Sequence, residues 1–158
     1  MFGFAVFFLG DREEAKDAAQ DVMIRLWTHR HRIDPERAPG WLMTVTRNIC
    51  IDHQRRRRTD RRYVAVDSDR AEMHPSDHIA ADAEVDRQMF RQRLTEAITT
   101  LREPQRSIVI MREIQELKYE EISQVLGLPL NTVKVYLHRA RRTLRRHLTP
   151  VIEREAII

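Results

Sequence analysis

The residues best placed for chemistry lie between Asn131 and Leu148, where the chain carries six Lys or Arg and no acid. At about 100° per residue, Val133, Leu137, Ala140 and Leu144 share one side of a helix. Asn131, Val135, His138 and Arg142 share the other, flanked by Lys134 and Arg139. A solvated face normally mixes signs, so a one-sign face suits phosphates better than water. The chemistry this permits is binding: cations grip a polyanionic backbone, and neighbouring polar and apolar groups meet base edges. Covalent catalysis finds no comparable set. The Asp and Glu pairs sit in the first turns of separate helices and no nucleophile stands beside a base, so no enzyme is expected. His74 and His78 are four apart, but Pro75 lies between them, so neither a metal site nor a cofactor is expected.

The elements that must position this face begin at Tyr119. Residues 119–146 read as a short helix, a turn at Gly127, and a longer helix opened by Asn131 or Thr132. Ile122, Leu126, Leu128, Val133 and Leu137 can close a small core between the two. Spacing alone leaves a helix-turn-helix and an ordinary helical hairpin about even; the charge sorting favours the first. Upstream, Met89, Phe90, Leu94, Ala97, Ile98 and Leu101 form a helical stripe from about Val85. A further helix starts at Pro104 and runs through Ile108, Met111 and Ile114.

The N-terminal part repeats the helical pattern. From Asp11, the positions Ala15, Ala18, Ala19, Val22, Met23 and Leu26 recur at three- and four-residue steps, with acids crowding the first turn. The segment RIDPERAPG predicts a loop, and a helix follows from near Trp41, with Leu42, Val45 and Ile49 on one side, into Arg55 to Arg58. The apolar run Phe2 to Leu9 is far shorter than the roughly 20 residues of a spanning helix and predicts a buried helix end rather than membrane insertion.

Only four Gly, 6% aromatic residues and 33% charged residues argue for an all-α protein. One cysteine, Cys50, excludes an internal disulfide, suits a reducing cytoplasm and reads as a small core residue. Residues 1–62 carry 13 basic and 9 acidic groups, residues 63–86 carry 1 and 7, and residues 87–158 carry 14 and 8. Two basic blocks thus flank an acidic joint, a footprint for nucleic acid. Between Tyr63 and Asp82 periodicity fades and Pro75 interrupts, which predicts a flexible linker over 63–83. Two small helical domains, 1–62 and 84–148, are therefore expected to have few mutual contacts, with 149–158 as a C-terminal tail.

The run from Leu101 to Leu148 resembles region 4 of sigma factors of the extracytoplasmic-function (ECF) group in the sigma-70 family. The strings AKDAAQDVMIRLW and WLMTVTRNICIDHQRRRR resemble region 2 of the same group. The paired patterns Q-D-x-x-x-R-L-W and W-L-x-x-x-x-R-N-x-x-x-D, in the family's order, make the match specific where a helix-turn-helix alone would not be.

The resemblance implies the promoter-specificity subunit of a bacterial RNA polymerase, recognising the minus-ten and minus-thirty-five elements. Asp17, Gln20, Asp21 and Arg25 then match positions that dock on the clamp coiled coil of the largest polymerase subunit. Thr44, Arg47, Asn48, Arg55, Arg56, Arg57 and Arg58 match the part that meets minus-ten DNA. Asn131, Thr132, Lys134, Val135, His138, Arg139 and Arg142 match the helix that reads the minus-thirty-five element. The flap of the second-largest subunit and an anti-sigma factor are the further partners implied. Trp41 is expected in the core, and Asn48 and Asp52, one turn apart, can also bond to each other. Two departures stand out: the Pro-Gly pair before Trp41, and a first helix shortened to the nine residues before Gly10. For the second, either the start lies upstream or part of that helix is missing.

Two other classes compete. A stand-alone regulator that binds DNA as a dimer, with residues 1–86 as a sensing or dimerising domain, accounts for the C-terminal half but not for Q-D-x-x-x-R-L-W. A metal-dependent nuclease lacks a clustered ligand set.

Overall fold

A computed structural model describes residues 1–63 and 82–155, in which all regular structure is helical. The expected linker, with His74, Pro75 and His78, lies almost wholly outside the described residues. No described helix is long and apolar enough to cross a membrane.

Helix α1 (Phe2–Leu9) is apolar on nearly every side and stops at Gly10, whose φ of 74° suits a residue without a Cβ. Phe4, Ala5, Phe8 and Leu9 are all buried. A helix that is apolar all round must be covered all round. Accordingly α1 packs on α2 (Arg12–His29) and α3 (Ala38–Tyr63), and also on α4 (Asp82–Thr99) and a π-helical turn (Ile110–Ile114) from the C-terminal half. The expectation of few contacts between the halves is thus corrected: their buried side chains form one continuous core.

Asp11 caps α2, its carboxylate accepting from the backbone N–H groups of Glu13 and Glu14 at 2.8 and 2.9 Å. Ala15, Ala18 and Val22 face inward, but Met23 is exposed, against expectation. Helix α3 starts three residues before Trp41. Pro39 fits within its first turn, where no N–H is needed, and the Trp41 N–H donates to the Arg37 carbonyl at 3.0 Å. Trp41 is partly buried against the core and Cys50 fully buried, its thiol pushed up to about 12 by burial.

Helix α5 (Gln105–Val109) runs into the π-helical turn. Beside it Arg106 is almost fully buried, yet each of its nitrogens finds a carbonyl: Leu101 at 3.0 Å, Phe8 at 3.3 Å, and Thr99. Its guanidinium also lies over the Phe8 ring, 5.1 Å from the centroid. Burial draws its pKa below the usual value, with Glu103 opposing. One arginine thereby ties α1 to the C-terminal half.

Helices α6 (Tyr119–Leu126) and α7 (Leu130–Glu155) complete the chain. Glu121 accepts from the Lys118 N–H at 2.6 Å to start α6, and Gly127, at φ 62°, ends it. Helix α7 opens at Leu130, one residue before Asn131, and continues through Pro150 to Glu155, so the expected tail is largely helical.

Candidate nucleic-acid interface

The helix-turn-helix closes on Ile122, Val133 and Leu137, all buried, with Leu126 and Leu128 partly buried beside them. Ser123 donates its hydroxyl to the Leu128 carbonyl at 2.5 Å, which fixes the turn. Arg141 donates to Glu113 through Nε at 3.0 Å and Nη2 at 2.6 Å, and that hydrogen bond raises the Arg141 pKa. With its inner side held by Val133, Leu137, Ala140 and Leu144, α7 turns Asn131, Lys134, Val135, His138, Arg139 and Arg142 to solvent; Thr132 is half-buried. Val135, 48% exposed, is an apolar group amid this basic face. Arg139, Arg142, Arg145 and Arg146 pair with no acid among the described residues.

Helix α3 presents a different picture. At about 100° per residue Thr44, Arg47, Asn48, Arg55 and Arg58 lie within one face, whereas Arg56 and Arg57 turn away. The structure accordingly directs Arg57 to Glu14 of α2, at 3.2 Å. Arg56 instead lines a cleft of about 280 Å³ between α2 and α3, together with Asp21, Ile24, Arg25, Ile49, Asp52 and His53. Arg55 pairs with Asp52 at 3.4 Å, and Thr44 donates to the Gly40 carbonyl at 3.0 Å. Asn48 is exposed, with no bond to Asp52. Arg47 is held by the other half of the molecule: Nη2 donates to Glu103 at 2.8 Å, and Nε to Ser107 at 3.0 Å.

On α2, Asp17, Gln20 and Arg25 are exposed, while Asp21 is half-buried and bonds His53 Nε2 at 2.9 Å. Periodicity alone missed what surrounds them. Met23, Ile24 and Trp27 are 52%, 63% and 69% exposed, an apolar stripe beside Gln20. A signal for it existed, because Ile24 falls about 180° from Ala15 on an ideal helix. Exposed apolar stripes of this kind mark contact surfaces.

Fold and surface together define a helical protein with a basic face on α7, of the kind that suits nucleic acid, and an exposed apolar stripe on α2. Residues 1–59 match the family described as Sigma-70 region 2, and residues 91–144 match Sigma-70, region 4. The chain is 32% identical over 148 residues to the ECF RNA polymerase sigma factor SigE of Mycolicibacterium smegmatis, covering 88% of this chain and 53% of that protein. It is 30% identical over 147 residues to the RNA polymerase sigma factor YlaC of Bacillus subtilis, covering 92% and 83%. It is 32% identical over 145 residues to the ECF sigma factor RpoE of Cereibacter sphaeroides, covering 86% and 73%. Among solved structures, it resembles the sigma factor RpoE of Bartonella quintana in complex with the anti-sigma factor NepR, with a TM-score of 0.73 and 23% identity over 94% of this chain and 89% of that one. CnrH in complex with the cytosolic domain of CnrY follows with a TM-score of 0.65 and 18% identity, over 94% and 79%. The chain belongs to the sigma-70 family of RNA polymerase promoter-specificity subunits, in its ECF group.

Proposed function

We propose that three surfaces divide the work of promoter recognition. Helix α7 reads the minus-thirty-five element with Asn131, Thr132, Lys134, Val135, His138, Arg139 and Arg142. The single observation that carries this reading is its solvent-facing side, where cations without acidic partners among the described residues surround the exposed Val135. Cations supply affinity through counterion release, and Val135 offers an apolar contact for a thymine methyl. The preferred sequence should therefore carry a thymine opposite Val135.

Helix α3 meets the minus-ten element with Thr44, Arg47, Asn48, Arg55 and Arg58; Arg56 belongs to this group by sequence but lines the cleft between α2 and α3. Arg57 belongs to this group by sequence, but its bond to Glu14 gives it a positioning role between α2 and α3. Helix α2 docks on the clamp coiled coil of core polymerase through Asp17, Gln20, Asp21 and Arg25, with Met23, Ile24 and Trp27 supplying the apolar area. The C-terminal half meets the flap of the second-largest subunit. With such partners the protein works in the cytoplasm. One structural relative was solved with the anti-sigma factor NepR and the other with the cytosolic domain of CnrY, and an anti-sigma factor is the matching partner for this chain.

The docking surface is tested by combining Gln20→Ala with Arg25→Ala and measuring co-elution with core polymerase. Binding should weaken while α7's affinity for minus-thirty-five DNA stays unchanged. Equal co-elution of the double variant would assign these residues to packing.

A further inference from the structure

The cleft between α2 and α3 carries the same pattern on both walls. Asp21 and Arg25 lie one turn apart on α2, and Asp52 and Arg56 lie one turn apart on α3. The two acids are already engaged: Asp21 meets His53 Nε2 at 2.9 Å, and Asp52 meets Arg55 at 3.4 Å. The two arginines are not, since neither Arg25 nor Arg56 holds an acid among the described residues. Ile24 and the almost fully buried Ile49 line the same cleft, so a partner that covers it excludes water and strengthens a charge pair formed there. What the cleft leaves unanswered is positive charge over an apolar lining.

Geometry decides where the answering anion comes from. On an ideal helix Arg56 falls about 180° from Arg47, so it turns away from the face that carries Thr44, Asn48 and Arg58. It stands instead with Arg25, next to Ile24 of the exposed apolar stripe on α2. A strand of phosphates crossing the cleft would meet the Asp21 and Asp52 carboxylates as well as the arginines, whereas a single carboxylate needs only the arginines. The volume of about 280 Å³ lies just under the roughly 300–1,000 Å³ of small-molecule pockets and suits one inserted side chain.

We propose that Arg56 of α3, together with Arg25 of α2, captures a carboxylate side chain that core polymerase presents at its clamp, and that Arg56 belongs to polymerase docking rather than to the minus-ten surface. The proposal rests on the reading of α2 as the polymerase-docking face. The His53 bond serves it by turning the Asp21 carboxylate across the cleft, which keeps Asp21 from neutralising Arg25. Helix α3 is then gripped from two sides, by polymerase at Arg56 and by DNA on the face of Asn48 and Arg58.

The test titrates core polymerase against the full chain, then measures promoter affinity of the complex at saturating polymerase. Arg56→Ala should raise the dissociation constant for polymerase about ten-fold and make it less sensitive to salt. Arg56→Glu should raise it further, because the cleft then opposes a carboxylate with a like charge. Arg56 is exposed, so neither variant should move the thermal midpoint. Promoter affinity of the saturated complex should stay as it is in the parent chain. Lost promoter affinity with normal polymerase binding overturns the proposal and returns Arg56 to the DNA. Equal losses for the Ala and Glu variants overturn the carboxylate. Normal polymerase binding by Arg56→Ala, while the Gln20→Ala and Arg25→Ala double variant binds weakly, overturns the proposal and leaves the α2 reading standing. Normal binding by that double variant as well brings down both.

Discussion

Helices α3 and α7 are both 26 residues long and both rich in arginine, but their cations are in opposite conditions. On α7, Arg139, Arg142, Arg145 and Arg146 have no acidic partner among the described residues. On α3, Arg47, Arg55 and Arg57 each hold an acid. A phosphate that meets Arg139 or Arg142 of α7 replaces water, whereas one that meets Arg47 or Arg55 of α3 must displace a carboxylate. Equal charge in the sequence therefore does not mean equal readiness to bind.

The largest expected effect comes from the core that joins the two halves. Phe8 is fully buried in α1 and stands under the Arg106 guanidinium. Phe8→Ala should cost about 3–5 kcal/mol of stability, read as a lower denaturant midpoint. A loss below about 1 kcal/mol would mean that α1 does not stitch the halves together.

Smaller effects separate reading from gripping on α7. Arg139→Ala should cost about 1–3 kcal/mol at the preferred minus-thirty-five sequence and relax discrimination there. Arg145→Ala should weaken binding uniformly across sequences and reduce the salt slope by roughly one. Competition among promoter variants at several salt concentrations distinguishes them; equal losses for every variant would show that the helix only grips phosphate.

On α3 the same comparison is made between neighbours. Arg58→Ala should reduce the salt slope for minus-ten DNA, whereas Arg57→Ala, removing a half-exposed pair with Glu14, should leave the slope alone and cost at most about 1 kcal/mol of stability. A reversed pattern would put Arg57 on the DNA. The smallest effect concerns Cys50: with its pKa raised to about 12 by burial, the thiol should resist alkylation in the folded protein at neutral pH. Rapid labelling would show that this core opens readily.

Much of this was legible before any coordinates, for local reasons. Gly127 followed by the spacing of Val133, Leu137, Ala140 and Leu144 defines both the turn and the buried side of α7, because each depends on neighbours within a few residues. The exposed face of α2 was only half legible. Met23 fits the three- and four-residue rhythm of the buried side yet is exposed, since α2 is covered along a strip centred on Ala15, Ala18 and Val22. Pro39 was read as a loop residue although the first turn of a helix accepts it. Least legible was the contact of Arg47 with Glu103, 56 residues away, which only the packing of the two halves creates. The clue was α1, whose apolar residues run round the helix and so call for cover on several sides.

The central claim is that this chain confers promoter specificity on RNA polymerase. The direct measurement is transcription by core polymerase from a library of promoters with varied minus-ten and minus-thirty-five elements, with and without the chain. Initiation is expected only when the chain is present, from a subset sharing both elements, with a changed minus-thirty-five preference for Arg139→Ala. Initiation that is independent of the chain, or stimulation that ignores both elements, would contradict it.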